Sequence, residues 1–346
     1  MIYQQMRSLA HWLAAIGAVT LPAALPFGDA RAAEPVYVMK VTAPTINDVP
    51  DTYGRNFAAA VERDSGGRIK GEVYPASQLG SIPRQIEGTQ FGAIQVAVMP
   101  PEFFVGVDER FEVLAAPGLV SSIEQGQKLT ADPAVRKLYL SLGVEKGLHG
   151  VGLFMSEPSD VLARTPIRHL AEFKGKKLRT FASRFQTETF SRLGATAVVM
   201  TLGDVLPALQ QGTIDGAVAG MGPISKMHFI DVAKSVTMTN QPAIFVVAEV
   251  NKKWYDALPP DLQKIIDDDG AAQAIAINPT ALDMRQKSEA AWSAAGGENV
   301  VLPPDEQESM MKTMSSVGAD VSQSKPQLTD AYKLVSDTAQ RLRSGM

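Results

Sequence analysis

Cysteine is absent from the 346 residues, so a disulfide framework, a thiolate nucleophile and a sulfur-held metal are all excluded. Histidine is scarce: His11, His149, His169 and His228 are far apart, and none forms the i, i+4 pair of a helical zinc site. No metal and no cofactor are expected. Charge of one sign is lacking too, with 33 Lys and Arg against 37 Asp and Glu. A net charge of −4 with mixed signs carries no electrostatic footprint for nucleic acid. There is no Gly-x-Ser-x-Gly elbow. The Gly216, Gly220, Gly222 spacing lacks the lysine and the order of a phosphate loop, and reads as a tight strand-to-helix turn. Beyond the N-terminus no apolar run reaches the ~20 residues that span a bilayer, so a membrane-spanning protein is not expected. What remains is ordinary globular composition, 45% hydrophobic and 20% charged, in a chain long enough for two lobes.

The first 33 residues read as a secretory signal peptide. Arg7 supplies the positive start, Leu9 to Phe27 is mostly apolar with Pro22 and Pro26 near its end, and Ala30-Arg31-Ala32 offers a cleavage site. Cleavage is expected after Ala32 or Ala33, giving an exported, soluble, periplasmic protein.

Strand and helix patterns then alternate. A strand from Val36, a helix from Thr52 to Arg63 closed by Gly66-Gly67, and a strand from Ile69 to Tyr74 open the mature chain. A helix over 84–91, a strand over 94–99, a helix over 133–142 and a strand over 148–154 follow. The densest pattern runs from Phe173 to Gly220. A basic Gly-turn leads into Leu178-Arg179-Thr180-Phe181, then a helix, the strand 197–200, a helix to Gln211 and the strand 214–218. That is a β-α-β-α-β unit with parallel strands, whose ligands gather at strand C-terminal ends. Arg179 occupies such an end. On the residues alone, an ordinary surface arginine stands ahead of a guanidinium gripping a carboxylate through two parallel hydrogen bonds. Asp215 reads as a turn residue rather than a general base. Asp261 to about Ala295 is helix-rich, with Pro279 expected to kink or break it. Further helices are expected over 305–314 and 328–343.

"Gly-Lys-Lys-Leu-Arg", "Leu-Gly-Ala" and "Ala-Leu-Gln-Gln-Gly-Thr-Ile-Asp-Gly", in that order, resemble the signature of substrate-binding proteins of tripartite ATP-independent periplasmic (TRAP) transporters. "Gly-Gly-Arg-Ile" leading to "Tyr-Pro-Ala-Ser-Gln-Leu-Gly" resembles the same family's N-terminal motif. The resemblance implies an α/β, two-lobe periplasmic binding protein fold with hinge strands and a helix spanning both lobes. Lobe I would take 34–156 with about 245–285, and lobe II 157–244 with about 286–346. It implies that Arg179 holds a ligand carboxylate, and that Glu102 and Phe103 face the cleft. Some sialate-type members carry a second arginine where this chain has Ser159, and an asparagine where it has Ala219. With Phe181 and Met221, these departures favour a monocarboxylate with an apolar or aromatic body. Thr45, Gln241 and Arg184 are candidates for a second polar contact. The implied partners are a small carboxylate ligand and the TRAP membrane permease. Two other classes stay open: a ligand-sensing partner of a sensor kinase, and a periplasmic enzyme acting on organic acids.

Overall fold

The computed structural model describes residues 35–344; the expected signal peptide lies outside the described residues. Local chemistry sets the first elements. A helix over Val49–Asp64 starts three residues before the expected Thr52, because the Asp48 carboxylate accepts the Asp51 N–H and Pro50 sits in the first turn. Tyr53, Phe57 and Val61, four residues apart, form its buried stripe. Beyond Ser65, Gly66 and Gly67 turn the chain at φ 62° and 81°, the left-handed geometry that glycine adopts freely.

Strands β1 (Tyr37–Thr42), β2 (Ile69–Tyr74), β3 (Val96–Met99) and β4 (Leu148–Pro158) come first in the chain. They are followed by β5 (Asp160–Ala163), β6 (Lys177–Thr180), β7 (Thr196–Val199) and β8 (Gly216–Ala219). The last are β9 (Ser235–Thr237), β10 (Ala243–Asn251) and β11 (Glu298–Val300). Two mixed sheets form, ordered β2-β1-β3-β10-β4 and β11-β9-β5-β8-β6-β7. In the second, β6 pairs parallel with both β7 and β8, which is the expected β-α-β-α-β unit.

The chain passes between the sheets at two adjacent places, from β4 into β5 and from β9 into β10. Register pairs Ala243 with Pro158 there. The Ser159 N–H and hydroxyl both donate to the Pro242 carbonyl, at 3.1 and 2.6 Å. The Thr239 hydroxyl donates to Ser159 O at 3.2 Å. These two strand crossings are the hinge.

The helix expected to span both lobes is a pair, Pro260–Ala276 and Asn278–Ala294, meeting at Ile277. Pro279 falls in the first turn of the second helix, where its missing N–H costs no hydrogen bond. The first of the pair lies on the first sheet, with the Tyr53 hydroxyl donating to Gly270 O at 3.1 Å. The second reaches the other core, where Trp292 packs with Leu162 and Val236. The C-terminal helix, Pro326–Ser344, corrects the expected division. The family resemblance implies that it belongs to lobe II, yet Leu328, Ala331, Val335 and Ala339 are buried in the core of the first sheet. Met310 and Met314 of the preceding Pro304–Met314 helix join Val161 and Leu178 instead. An amphipathic pattern shows that one face is buried, but not against which core.

Close strand packing around the parallel unit is testable. A Cβ on Gly216 would come 2.4 Å from Leu162 O on the paired strand β5. Gly216→Ala should therefore destabilise the protein by about 1–3 kcal/mol in urea denaturation. An unchanged midpoint would show that the β5–β8 pair can spread at no cost.

Candidate functional site

The C-terminal ends of β3, β4, β6 and β8 converge on a cavity between the sheets, with an empty volume of about 470 Å³ counted to its mouth. Arg179 projects from β6 beside Ala217 of β8 and Val198 of β7. Two backbone carbonyls fix its guanidinium: Nε donates to Met200 O and Nη1 to Val218 O, each at 2.9 Å. Its Cζ lies 4.5 Å from the Phe181 ring centroid, a cation–π distance. The side chain is 0% exposed, and Nη2 has no hydrogen-bond partner. Burial pulls the Arg179 pKa down to about 9, opposed by Glu102 in its ionised form and by the charge of Asp204. The group is thus still protonated near neutrality. A buried cation with an unused donor is costly until an anion meets it.

Phe103 and Phe181, one from each sheet's loops, meet edge to face with centroids 5.4 Å apart. With Ile82, Leu202 and Ile244 they make much of the wall apolar. Thr45 and Ala219 also line the cavity, so Arg179, Phe181, Phe103, Ala219 and Thr45 share one cavity wall.

Ser159, Met221, Gln241, Glu102 and Arg184 do not line it. The Ser159 hydroxyl is spent on the hinge. Met221 is fully buried in the second core, because its own Met221–Lys226 helix turns it inward; Gly220 and Pro223 take the wall. The Gln241 side chain staples the 118–120 loop, accepting the Gly118 N–H at 2.9 Å and donating to Val120 O at 3.1 Å. Arg184 is a strut between the two halves, 2.6 Å from the buried Glu112 and 2.8 Å from Glu109.

Glu102 lies behind the wall, fully buried, and neither carboxylate oxygen has a hydrogen-bond partner. Burial pushes its pKa from the ordinary 4.5 up to about 8, with the Glu112 charge adding and the Arg179 charge opposing. The folded chain keeps this proton to about pH 8, whereas the unfolded chain releases it near 4.5. Between those values the folded state binds more protons, so this group lowers stability by about 1.4 kcal/mol per unit rise in pH. Glu102→Gln should accordingly be more stable than wild type at pH 8, and the gap should close as pH falls toward 4.5. Urea titrations at both ends of that range would measure it; a gap independent of pH contradicts the assignment.

Sequence reasoning missed the acidic part of the cavity. Asp48, Ser156 and Glu157 line it. The Glu157 oxygens accept the Gly222 N–H at 3.1 and 3.3 Å, and Arg285 Nη1 is 3.7 Å away. Burial raises the Glu157 pKa to about 7 and also raises that of Asp48. The one signal was an acid in the last turnings of an otherwise apolar strand, Phe154-Met155-Ser156-Glu157-Pro158.

Comparison with known proteins adds to this geometry. Residues 44–324 match the family model described as bacterial extracellular solute-binding protein, family 7. The C4-dicarboxylate-binding periplasmic protein DctP of Rhodobacter capsulatus is 29% identical over 286 residues, 82% of this chain and 84% of that one. Among solved structures, a TRAP periplasmic solute binding protein from Desulfovibrio salexigens with bound orotic acid superposes with a TM-score of 0.83 at 22% identity. It covers 88% of this chain and 99% of its own. A second, from Sulfitobacter sp. NAS-14.1 with bound β-D-galacturonate, has a TM-score of 0.80 at 21% identity, covering 87% and 99%. At those identities the likeness to the solved structures is one of fold.

Proposed function

The chain belongs to the bacterial extracellular solute-binding proteins of family 7, and from that premise we propose that Arg179 anchors a monocarboxylate with an apolar or aromatic body between the two lobes. The observation that carries this is the buried guanidinium, held by two carbonyls and left with a free Nη2 in the cavity wall. Nη2 and the second Nη1 hydrogen supply the two donors that a carboxylate fork needs. Arg179 is the one basic side chain lining the cavity among the described residues. A second carboxylate would be buried without a cationic partner, at a cost of several kcal/mol. The aromatic rings of Phe103 and Phe181 suit a flat or greasy body. Orotic acid, bound by the Desulfovibrio protein, has one carboxyl on a flat ring; the Rhodobacter relative is a dicarboxylate binder, so the contrast lies within the family.

Residues from both sheets meet across the cavity, so a ligand that touches both favours the closed form by its difference in affinity for the two forms. The Lys226 ammonium, on the Met221–Lys226 helix, donates to Asn47 O in the loop that precedes Asp48. The closed receptor would act in the periplasm, hand its ligand to a TRAP membrane permease, and release it chemically unchanged. No helix among the described residues is long and apolar enough to cross a membrane, which suits a receptor separate from its permease.

A thermal-stability screen of organic acids, followed by calorimetry on the hits, tests the reading. Stabilisation by monocarboxylates with apolar bodies is expected. Stabilisation by dicarboxylates or sialate alone would reject the ligand class, and mass-spectrometric turnover of a hit would reject the receptor role.

A further inference from the structure

The cavity holds a base and two acids that do not answer each other. Arg179 reaches the cavity from β6 of the second sheet, whereas Glu157 reaches it from β4 of the first sheet and Asp48 from the cap of the Val49–Asp64 helix. The base and the acids of the wall thus come from opposite sheets. The two acids meet at Gly222, where an added Cβ would lie 2.9 Å from Glu157 Oε1 and 3.4 Å from Asp48 Cβ. Their neighbours leave acid in excess. Arg285 is closer to Asp160 (2.6 Å) than to Glu157 (3.7 Å), and it also pairs with Glu289. Lys226, which acts on Asp48, spends a hydrogen bond on Asn47 O.

One polar atom of the cavity wall waits for a partner: Arg179 Nη2, on a side chain that is 0% exposed. The Thr45 hydroxyl, 7% exposed, turns to the Asp48 carboxyl. One backbone segment links the two ends: Val218 O holds Arg179, and four residues on the Gly222 N–H holds Glu157. Such a segment spans at most about 14 Å. Ala219, between them in sequence, adds no polar side chain to the wall.

Building on the carboxylate reading of Arg179, we propose that the ligand carries a protonated amine remote from its carboxylate, received by Glu157 and Asp48 with the Thr45 hydroxyl. The substrate class is thus a zwitterion with separated charges, an amine-bearing monocarboxylate with an apolar body. The apolar middle meets Phe103, Phe181 and Ala219, and each charged end meets its complement. Gly220 is required for this arrangement, since a Cβ there would come 2.2 Å from Glu157 Oε1.

Calorimetry with two matched probe series tests it: para-toluate, para-(aminomethyl)benzoate and terephthalate, and hexanoate, ε-aminohexanoate and adipate. In at least one series the amine should bind about 10-fold or more tighter than its alkyl parent, as a charge-assisted hydrogen bond implies. Glu157→Gln, an isosteric change, should erase most of that preference, read as the ratio of the amine's affinity to the alkyl acid's in the same variant. Asp48→Asn, which keeps the helix cap, serves as the second variant and should reduce the preference as well. If an alkyl acid or a diacid binds as tightly as the amine, or if the preference survives both variants, the proposal is overturned while the carboxylate reading stands. If no member of either series binds, the carboxylate reading and the proposal fall together.

Discussion

Arg179→Ala should abolish useful binding of every carboxylate that the wild-type protein holds. Two charge-assisted hydrogen bonds contribute about 1.5–3 kcal/mol each, so their joint loss weakens affinity by on the order of 10²- to 10⁴-fold. A micromolar ligand then becomes millimolar or worse. Lysine should not rescue it. An ammonium cannot present a planar fork while also satisfying Met200 O and Val218 O, which the guanidinium now bonds. Arg179→Gln, which retains an amide donor, should bind as poorly and fold at least as well as the alanine variant. Calorimetry with a screened ligand is the measurement, with the thermal midpoint of each unliganded variant as the check on folding. An alanine variant of unchanged affinity removes Arg179 from the site.

The second large effect is on stability, and it lies at the hinge. Arg285 of the Asn278–Ala294 helix is buried against Asp160 at 2.6 Å, with Pro158 O accepting from Nη1 at 3.2 Å. Asp160 is itself wholly buried and also accepts the Asn240 N–H at 3.0 Å. One guanidinium thus ties the helix pair to both strand crossings. Arg285→Met keeps apolar volume but strands buried carboxylates, which costs about 3–5 kcal/mol. For a chain of this size the melting point should fall by on the order of 10 °C. Burial already raises the pKa of both Asp160 and Glu157, against the charge of Arg285. Without that charge both carboxyls bind protons more readily in the folded state, so the deficit should be smaller at pH 5 than at pH 8. Calorimetric melting at the two pH values tests both statements. A loss of only a degree or two would mean that water reaches the cluster and shields it.

The strand-end position of Arg179 is legible in sequence because the parallel unit is local. On the residues alone a surface arginine stands ahead, and the role of carboxylate anchor enters only through the family resemblance. Alternating strands and helices place successive strand ends on one side, whatever the rest of the chain does. Phe103 follows the end of β3 in the same way, while Phe181 and Ala219 enter through comparison with the family's motifs. Ser159 and Gln241 were misread for a non-local reason. Ser159 bonds Pro242, 83 residues away, and Gln241 bonds Gly118, 123 residues away. No window of sequence contains either pair. Met221 was missed by one position, since the turn into its helix hands the wall to Gly220. For Glu157 the sequence offers only an acid at the end of a mostly apolar strand, and Ser156-Glu157-Pro158 alone does not distinguish a buried acid from a solvated one until the second sheet closes over it.

The return of the last helix to the first core has a practical outcome. β1 near one end of the chain and Leu328 to Ala339 near the other are buried together. The span that includes β5 to β9 is therefore looped out of a body that carries both β1 and the Pro326–Ser344 helix. Dyes placed on β1 and on that helix would ride together and stay blind to any swing of the other half. A working optical reporter needs one dye on the Pro326–Ser344 helix and the other on the outer face of the Pro304–Met314 helix, whose inner face packs with the second sheet.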